Sequence, residues 1–96
     1  MRRVVRCWVA RSVFYDLADT PAEAANLTAR AVLMAAIGQQ ITGELWSTSE
    51  AAVRLGVTPA AVRDLLAGQI TTLDIDALVA MLPGAGLMLD VRREYL

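Results

Sequence analysis

The sequence contains no histidine and only one cysteine, Cys7, among its 96 residues. A single cysteine cannot form a disulfide within the chain, and a zinc site built from cysteine and histidine is excluded by the same shortage. Without histidine, Cys7 also lacks the base that most often activates a thiol nucleophile. We therefore expect a cytoplasmic protein that is not an enzyme and that holds no metal or cofactor.

Lysine is absent too, so all nine positive charges are arginines, and ten carboxylates leave a formal net charge of −1. A balance this close to neutral does not by itself indicate a nucleic-acid-binding protein. Six of the arginines nevertheless fall in two groups along the chain: Arg2, Arg3, Arg6, Arg11, and Arg54, Arg63. A nearly neutral chain can thus still present a locally positive face.

Long hydrophobic runs are missing, although hydrophobic residues make up 56% of the chain. No run approaches the roughly 20 apolar residues of a membrane-spanning helix. Arg6 interrupts the apolar residues near the amino terminus, so we expect no signal peptide.

A chain of this length is one domain that buries roughly 60–65% of its unfolded surface. Its stability should be modest, and association with a second subunit would add to it.

The middle of the chain, STSEAAVRLGVTPAAVRDLLAGQ, has the pattern of two short helices joined by a tight turn. Ser47 and Glu50 form a capping box, in which each side chain pairs with the other residue's amide. Thr58, followed by a proline, predicts the start of the second helix, and Gly56 and Gly68 predict the two helix ends. Small or aliphatic residues recur between these signals: Ala51, Ala52, Leu55, Val57, Val62, Leu65 and Leu66. The pattern predicts a helix-turn-helix.

A longer helix is predicted before this hairpin. Thr20, Pro21 and Glu23 form a second capping signal, and the helix should extend to about residue 41 or 42, where Gly43 ends it. Its apolar stripe, which should form core against the hairpin, consists of Leu27, Ala31, Met34, Ile37 and Ile41.

A fourth helix is predicted at about residues 75–82, after the hairpin. Asp74 near its start and Asp76 in its first turn both favour the helix dipole. Pro83 and Gly84 should break this helix.

The segment LMLDVRREY near the carboxyl terminus is predicted to be a β-strand. A lone strand is not stable, so it must pair with another strand of the same chain, for which residues 4–9 are a candidate, or with its copy in a second subunit. The pattern of the first eleven residues fits either a strand or an irregular helix.

Together these blocks resemble small Xre/Cro-type helix-turn-helix proteins, and the flanking segments are similar to the antitoxins of HigBA-type toxin–antitoxin operons. The resemblance covers residues 12–93, including the segments VFYDL, EAAVRLGVT and LDIDALVAMLPGAG. It implies a mainly α fold of four to five helices in residues 12–96, preceded by an extension of uncertain order in residues 1–11. It also implies that the carboxy-terminal strand pairs across a homodimer, and that a ribosome-dependent, RNA-cleaving toxin is the partner.

The same resemblance implies double-stranded DNA as a partner, contacted from the starts of both hairpin helices. The candidate DNA-contacting residues are Thr48, Ser49, Arg54, Thr58, Pro59, Ala61, Arg63 and Gln69. Arg63 is the strongest of them, because a guanidinium can bind guanine O6 and N7 together. The alternative for Arg63 is an ion pair with Asp64 or another surface carboxylate, or plain solvation. Arg54 could contact a phosphate or be an ordinary exposed arginine.

Two functional hypotheses follow. In the first, the protein is a dimeric repressor that reads an inverted-repeat operator and is also an antitoxin that neutralises a toxin by direct binding. In the second, it is an antitoxin or adaptor that binds a protein partner and keeps the hairpin as a scaffold. The second hypothesis gains support from two departures from the family. Where the family commonly has glutamine or arginine to read bases, this chain has Pro59 and Ala61.

Overall fold

The computed structural model describes residues 3–9 and 20–93. These residues form a mainly helical domain whose six elements are β1 (Arg3–Val9), α1 (Pro21–Gly43), α2 (Thr48–Leu55), α3 (Pro59–Leu66), α4 (Ile75–Ala85) and β2 (Leu87–Arg93). The predicted helical class and carboxy-terminal strand are confirmed. The VFYDL segment lies outside the described residues.

Each helix begins at a side-chain cap. Thr20, Ser47 and Thr58 accept the amide of the third residue that follows, at 3.0, 3.1 and 3.1 Å. Asp74 does the same for α4, where its Oδ1 lies 2.8 Å from the amide nitrogen of Ala77. These bonds satisfy amides that the first helical turn leaves without a partner, so local sequence determines where the helices start.

Glycine in the left-handed conformation follows three of the four helices. Gly56 has a φ of 71° after α2, Gly68 one of 76° after α3, and Gly86 one of 72° after α4. The prediction that α3 extends to Gly68 is slightly wrong, because the helix stops at Leu66. Gly68 instead allows the chain to turn back, so that the amide of Gln69 donates to the carbonyl of Asp64 at 3.0 Å.

The prediction that Pro83 and Gly84 break α4 is wrong, since the helix continues through both residues to Ala85. Packing explains the difference. A Cβ added at Gly84 would lie well inside 3.0 Å of the Arg54 carbonyl oxygen and 3.1 Å from the Leu55 Cα. Glycine therefore lets the backbones of α2 and α4 touch, and this contact outweighs the poor helix propensity of the Pro-Gly pair.

The core is formed by buried side chains from all four helices. Its largest fully buried side chains are Leu33, Ile37, Leu78, Met81 and Val62. Of the stripe predicted on α1, Met34, Ile37 and Ile41 are buried, whereas Leu27 and Ala31 are half-buried. Leu66, one of the aliphatic residues of the hairpin pattern, is 48% exposed and lines an apolar groove between α1 and α3.

The two strands pair in parallel within the chain, with Arg3 opposite Leu87 and Val9 opposite Arg93. The helical segment between them is the long crossover that parallel pairing requires. Of the two pairings left open by the sequence, the structure contains the one within the chain. Pairing of β2 across a dimer stays a prediction, as does the division of the chain near residue 11.

Candidate nucleic-acid interface

The hairpin formed by α2 and α3 is a tightly packed unit. Ala51 and Leu55 of α2 and Val62 and Leu65 of α3 are all buried in the same core. In the turn, the amide of Val57 donates to a carbonyl of α2 at 3.0 Å. The amino-terminal end of α3 is thereby held in a fixed orientation relative to α2, as a helix that is inserted into a groove must be.

The start of α2 differs in one respect from the predicted capping box. The Ser47 hydroxyl accepts the Glu50 amide as expected, but the Glu50 carboxylate is turned along the helix toward Arg54. Ser49 is exposed and Thr48 is half-buried. The first-turn amides of α2 and these two hydroxyls are neutral donors of the kind that bind phosphate.

Arg54 is engaged by its own domain. Its Nε and Nη2 lie 3.2 and 3.1 Å from Glu50 Oε1, and its guanidinium carbon lies 4.8 Å from the centroid of the Trp46 ring. The carboxylate offsets much of the positive charge that Arg54 would offer to a phosphate. Exposed pairs of this type contribute little to stability, about 0.3–0.5 kcal/mol, so the main effect of the pair is to hold the guanidinium in place.

Arg63 differs from Arg54 in having no such partner. It is exposed on α3, one helical turn after Pro59, and no carboxylate in the described part of the chain lies within 4.0 Å of it. The ion pair with Asp64 that the sequence allowed is therefore not formed. Of the two exposed arginines of the hairpin, Arg63 is the one without a carboxylate partner among the described residues.

The other candidate residues on α3 are placed less uniformly. Pro59 is exposed, whereas Ala61 is half-buried and packs against the core, which limits what it can reach. The Thr58 hydroxyl accepts the Ala61 amide and keeps its own hydrogen for donation. The α3 surface thus combines one guanidinium without an ion-pair partner, the half-buried carboxylate of Asp64, and small or neutral groups.

The charge of the hairpin and its flanks is weakly negative. Residues 44–74 carry two arginines against four carboxylates: Arg54, Arg63, and Glu44, Glu50, Asp64, Asp74. The net charge of this segment therefore does not attract a phosphate backbone, and specific donors must provide the contact.

The loop between α3 and α4 presents a row of neutral polar side chains. Gln69, Thr71 and Thr72 are exposed, while Ile70 between them is half-buried against the core. Nη1 of Arg30, on α1, lies 2.8 Å from the carbonyl oxygen of Ile70. Arg30 was not predicted from the sequence to have a role. It is the one charged residue between Glu23 and Glu44, and a single charge within an otherwise uncharged stretch of helix could have indicated a specific contact.

Two hydrophobic side chains at the hairpin are strongly exposed, one just before it and one on α2. Leu45 is 87% exposed and Val53 is 83% exposed.

The end of α1 has a leucine in a backbone conformation that favours glycine. Leu45 has a φ of 58°, which is the left-handed conformation that glycine adopts after the other three helices. Its amide donates to Thr42 and that of Trp46 to Ile41, which is the hydrogen-bond pattern of a glycine-terminated helix with leucine in the glycine position.

Residues 13–94 match the family model described as a helix-turn-helix domain. The chain belongs to this family. Membership indicates a DNA-binding regulator. Comparison with curated proteins and with solved structures found no match. In the described residues of this helix-turn-helix domain, no helix is long and apolar enough to cross a membrane.

In helix-turn-helix domains the second helix of the hairpin is the one that enters the major groove. That helix is α3 here. Ser49, Thr58, Pro59, Arg63 and Gln69 are exposed around the hairpin and its exit, which is the placement that DNA contact requires. Which of them contact DNA stays a prediction.

Proposed function

We propose that the protein is a dimeric transcriptional repressor that binds an inverted-repeat operator in double-stranded DNA. The observation that carries the proposal is Arg63, exposed on α3 and without a carboxylate within 4.0 Å among the described residues. An arginine in this position of a groove-inserted helix can bind O6 and N7 of a guanine, which discriminates against other bases by about 1–3 kcal/mol.

The phosphate contacts of this repressor come from neutral groups. Ser49 and Thr58 lie at the starts of α2 and α3, where unpaired amides and the helix dipole favour an anion. Gln69 follows α3 and provides a further amide donor. Because these groups carry no charge, few counterions are released on binding, and the affinity should depend only weakly on salt.

Dimerisation through β2 would give the protein two hairpins related by a two-fold axis. In the described structure β2 has β1 on one side only. Three apolar residues of the sheet are partly exposed: Val4 at 51%, Met88 at 47% and Leu89 at 39%. Two hairpins in such a dimer would read half-sites about 34–36 Å apart on one face of the duplex.

We further propose that the protein is an antitoxin that represses its own operon and neutralises a toxin by direct binding. The support is the resemblance of the hairpin, its flanks and the terminal strand to the antitoxins of HigBA-type operons. Repression and toxin binding can both belong to one antitoxin.

Selection from a pool of random DNA duplexes tests the repressor proposal. The wild-type protein should enrich an inverted repeat, and Arg63→Ala should lose preference for one guanine in each half-site. Arg54→Ala is the matched control, because Arg54 is held by Glu50 and Trp46 and should leave the preference unchanged. If Arg63→Ala selects the same sequence as the wild type, Arg63 does not read a base; if nothing is enriched, the protein is not an operator-reading repressor.

A second candidate function is a protein-binding antitoxin or adaptor in which the hairpin is a scaffold. Leu45 and Val53 favour it, since both are more than four-fifths exposed and binding a partner would remove their apolar surface from water. Replacing both with serine should abolish toxin binding in this case and leave DNA binding as it is in the wild type. Loss of DNA binding alone would contradict it.

A further inference from the structure

Arg30 is an unusual residue in this fold. It lies in the middle of α1, and it reaches across 40 positions of sequence to donate to the carbonyl oxygen of Ile70. Its Nε is buried and has no hydrogen-bond partner among the described residues. No carboxylate in residues 20–90 lies within 4.0 Å of its guanidinium.

The stability gained from the hydrogen bond to Ile70 is offset by two costs. A buried N–H without a partner disfavours the folded state, and a partly buried guanidinium without a counterion adds a desolvation cost. A long apolar side chain such as methionine would fill the same space without either penalty. An arginine at position 30 is therefore better explained by the segment that it contacts than by its contribution to stability.

What Arg30 holds is the loop between α3 and α4. Inside this loop the amide of Ile70 donates to Gly68 and that of Thr72 donates to Gln69, at 2.9 and 3.1 Å. Both bonds are local to the loop and link it to no other element. The Arg30 bond to Ile70 ties the loop to the long helix of the core.

The loop also lacks positive charge of its own. Residues 64–76 contain three carboxylates and no basic residue: Asp64, Asp74 and Asp76. Arg30 is the cation that the described structure places against this segment. Gln69, Thr71 and Thr72 are exposed on the same loop and offer an amide and two hydroxyls.

We propose that Arg30 is a positioning residue of the DNA interface, which fixes the loop so that Gln69, Thr71 and Thr72 can donate to a phosphate beside the recognition helix. The inference rests on the proposed DNA-binding function. Arg30 itself lies behind the loop and acts through the Ile70 carbonyl. The loop hydroxyls are then the phosphate contacts that replace the basic side chains missing from this surface.

Three variants test the proposal by DNA affinity, thermal unfolding and amide hydrogen exchange. Arg30→Met removes the tether but keeps the volume, so affinity should fall up to about tenfold, because DNA binding must then order a loop that one charged hydrogen bond orders in the free protein. Exchange of the Gln69, Ile70 and Thr72 amides should accelerate while the unfolding midpoint changes little. Arg30→Lys keeps a charged donor and should recover most of the affinity.

The matched control is Ile37→Val, which loosens the core of the same helix at a residue that is fully buried. It should lower the unfolding midpoint and leave affinity and loop exchange unchanged. If the wild type binds DNA and Arg30→Met binds equally well, the positioning role is wrong while the proposed function stands. If the wild type binds no DNA, both are wrong.

Discussion

Gly84 should be the position at which the smallest possible substitution does the most damage. Replacing it with alanine adds one methyl group, which would lie well inside 3.0 Å of the Arg54 carbonyl oxygen. Real Cβ atoms essentially never approach another atom this closely. The obstructing atoms belong to the backbone of α2, so no side-chain rotation can relieve the overlap and the two helices must separate.

The magnitude follows from two opposing effects. Alanine in a helix is more favourable than glycine by about 0.5–1 kcal/mol. Overpacking of a close contact costs about 1–3 kcal/mol, and backbone-on-backbone overlap is at the upper end of that range. The net loss should be about 2 kcal/mol, which for a domain of this size lowers the melting temperature by roughly 8–16 °C.

Thermal unfolding followed by circular dichroism measures this effect, at one fixed protein concentration because association would shift the midpoint. Gly43→Ala is the control, since it lies in the last turn of α1 and an added Cβ would meet nothing within 4 Å. It should leave the midpoint unchanged or raise it slightly. A Gly84→Ala protein that melts with the wild type would refute the close contact of α2 and α4.

Three further outcomes are expected. Leu45→Gly should raise the free energy of unfolding by about 0.5–1 kcal/mol in chemical denaturation, because relief of a left-handed leucine outweighs the added chain entropy of glycine; a loss of stability would contradict this reading of the α1 terminus. Asp74→Ala should lower the free energy of unfolding by about 1 kcal/mol, because it removes the side chain that caps α4. Asp74→Asn should not lower it, because its amide oxygen can still accept the Ala77 amide. Sedimentation velocity should give a dimer of 10.3-kDa chains, and a monomer at every concentration would rule out β2 pairing across subunits.

The helix starts were predictable from the sequence because their determinants are local. Ser47, Thr58 and Thr20 each lie three residues before the amide they accept, so the signal and the structure occupy the same few residues. The same locality made Gly56 readable as the end of α2.

The errors arose where distant residues decide the outcome. Pro83 and Gly84 look like a helix stop in isolation, and only the contact with Arg54 explains why α4 continues through them. Glu50 was expected to complete a capping box, but its carboxylate instead accepts from Arg54 one helical turn later.

The candidate site was predictable in outline and not in detail. The hairpin and the exposure of Arg63 followed from the sequence pattern, but whether Arg63 pairs with Asp64 depends on side-chain geometry that no spacing rule supplies. The tether from Arg30 to Ile70 joins residues 40 positions apart and could be found only in the folded chain.

The central claim is that this helix-turn-helix domain reads DNA sequence, and the most direct measurement is its affinity for the DNA upstream of its own gene. Fluorescence anisotropy titrations would compare that duplex with a scrambled one of equal composition, at about 50 and about 150 mM salt. The account predicts a preference for the upstream duplex of at least about a thousandfold that persists at the higher salt concentration. Equal affinity for the two duplexes, or binding that disappears at the higher salt concentration, would contradict it.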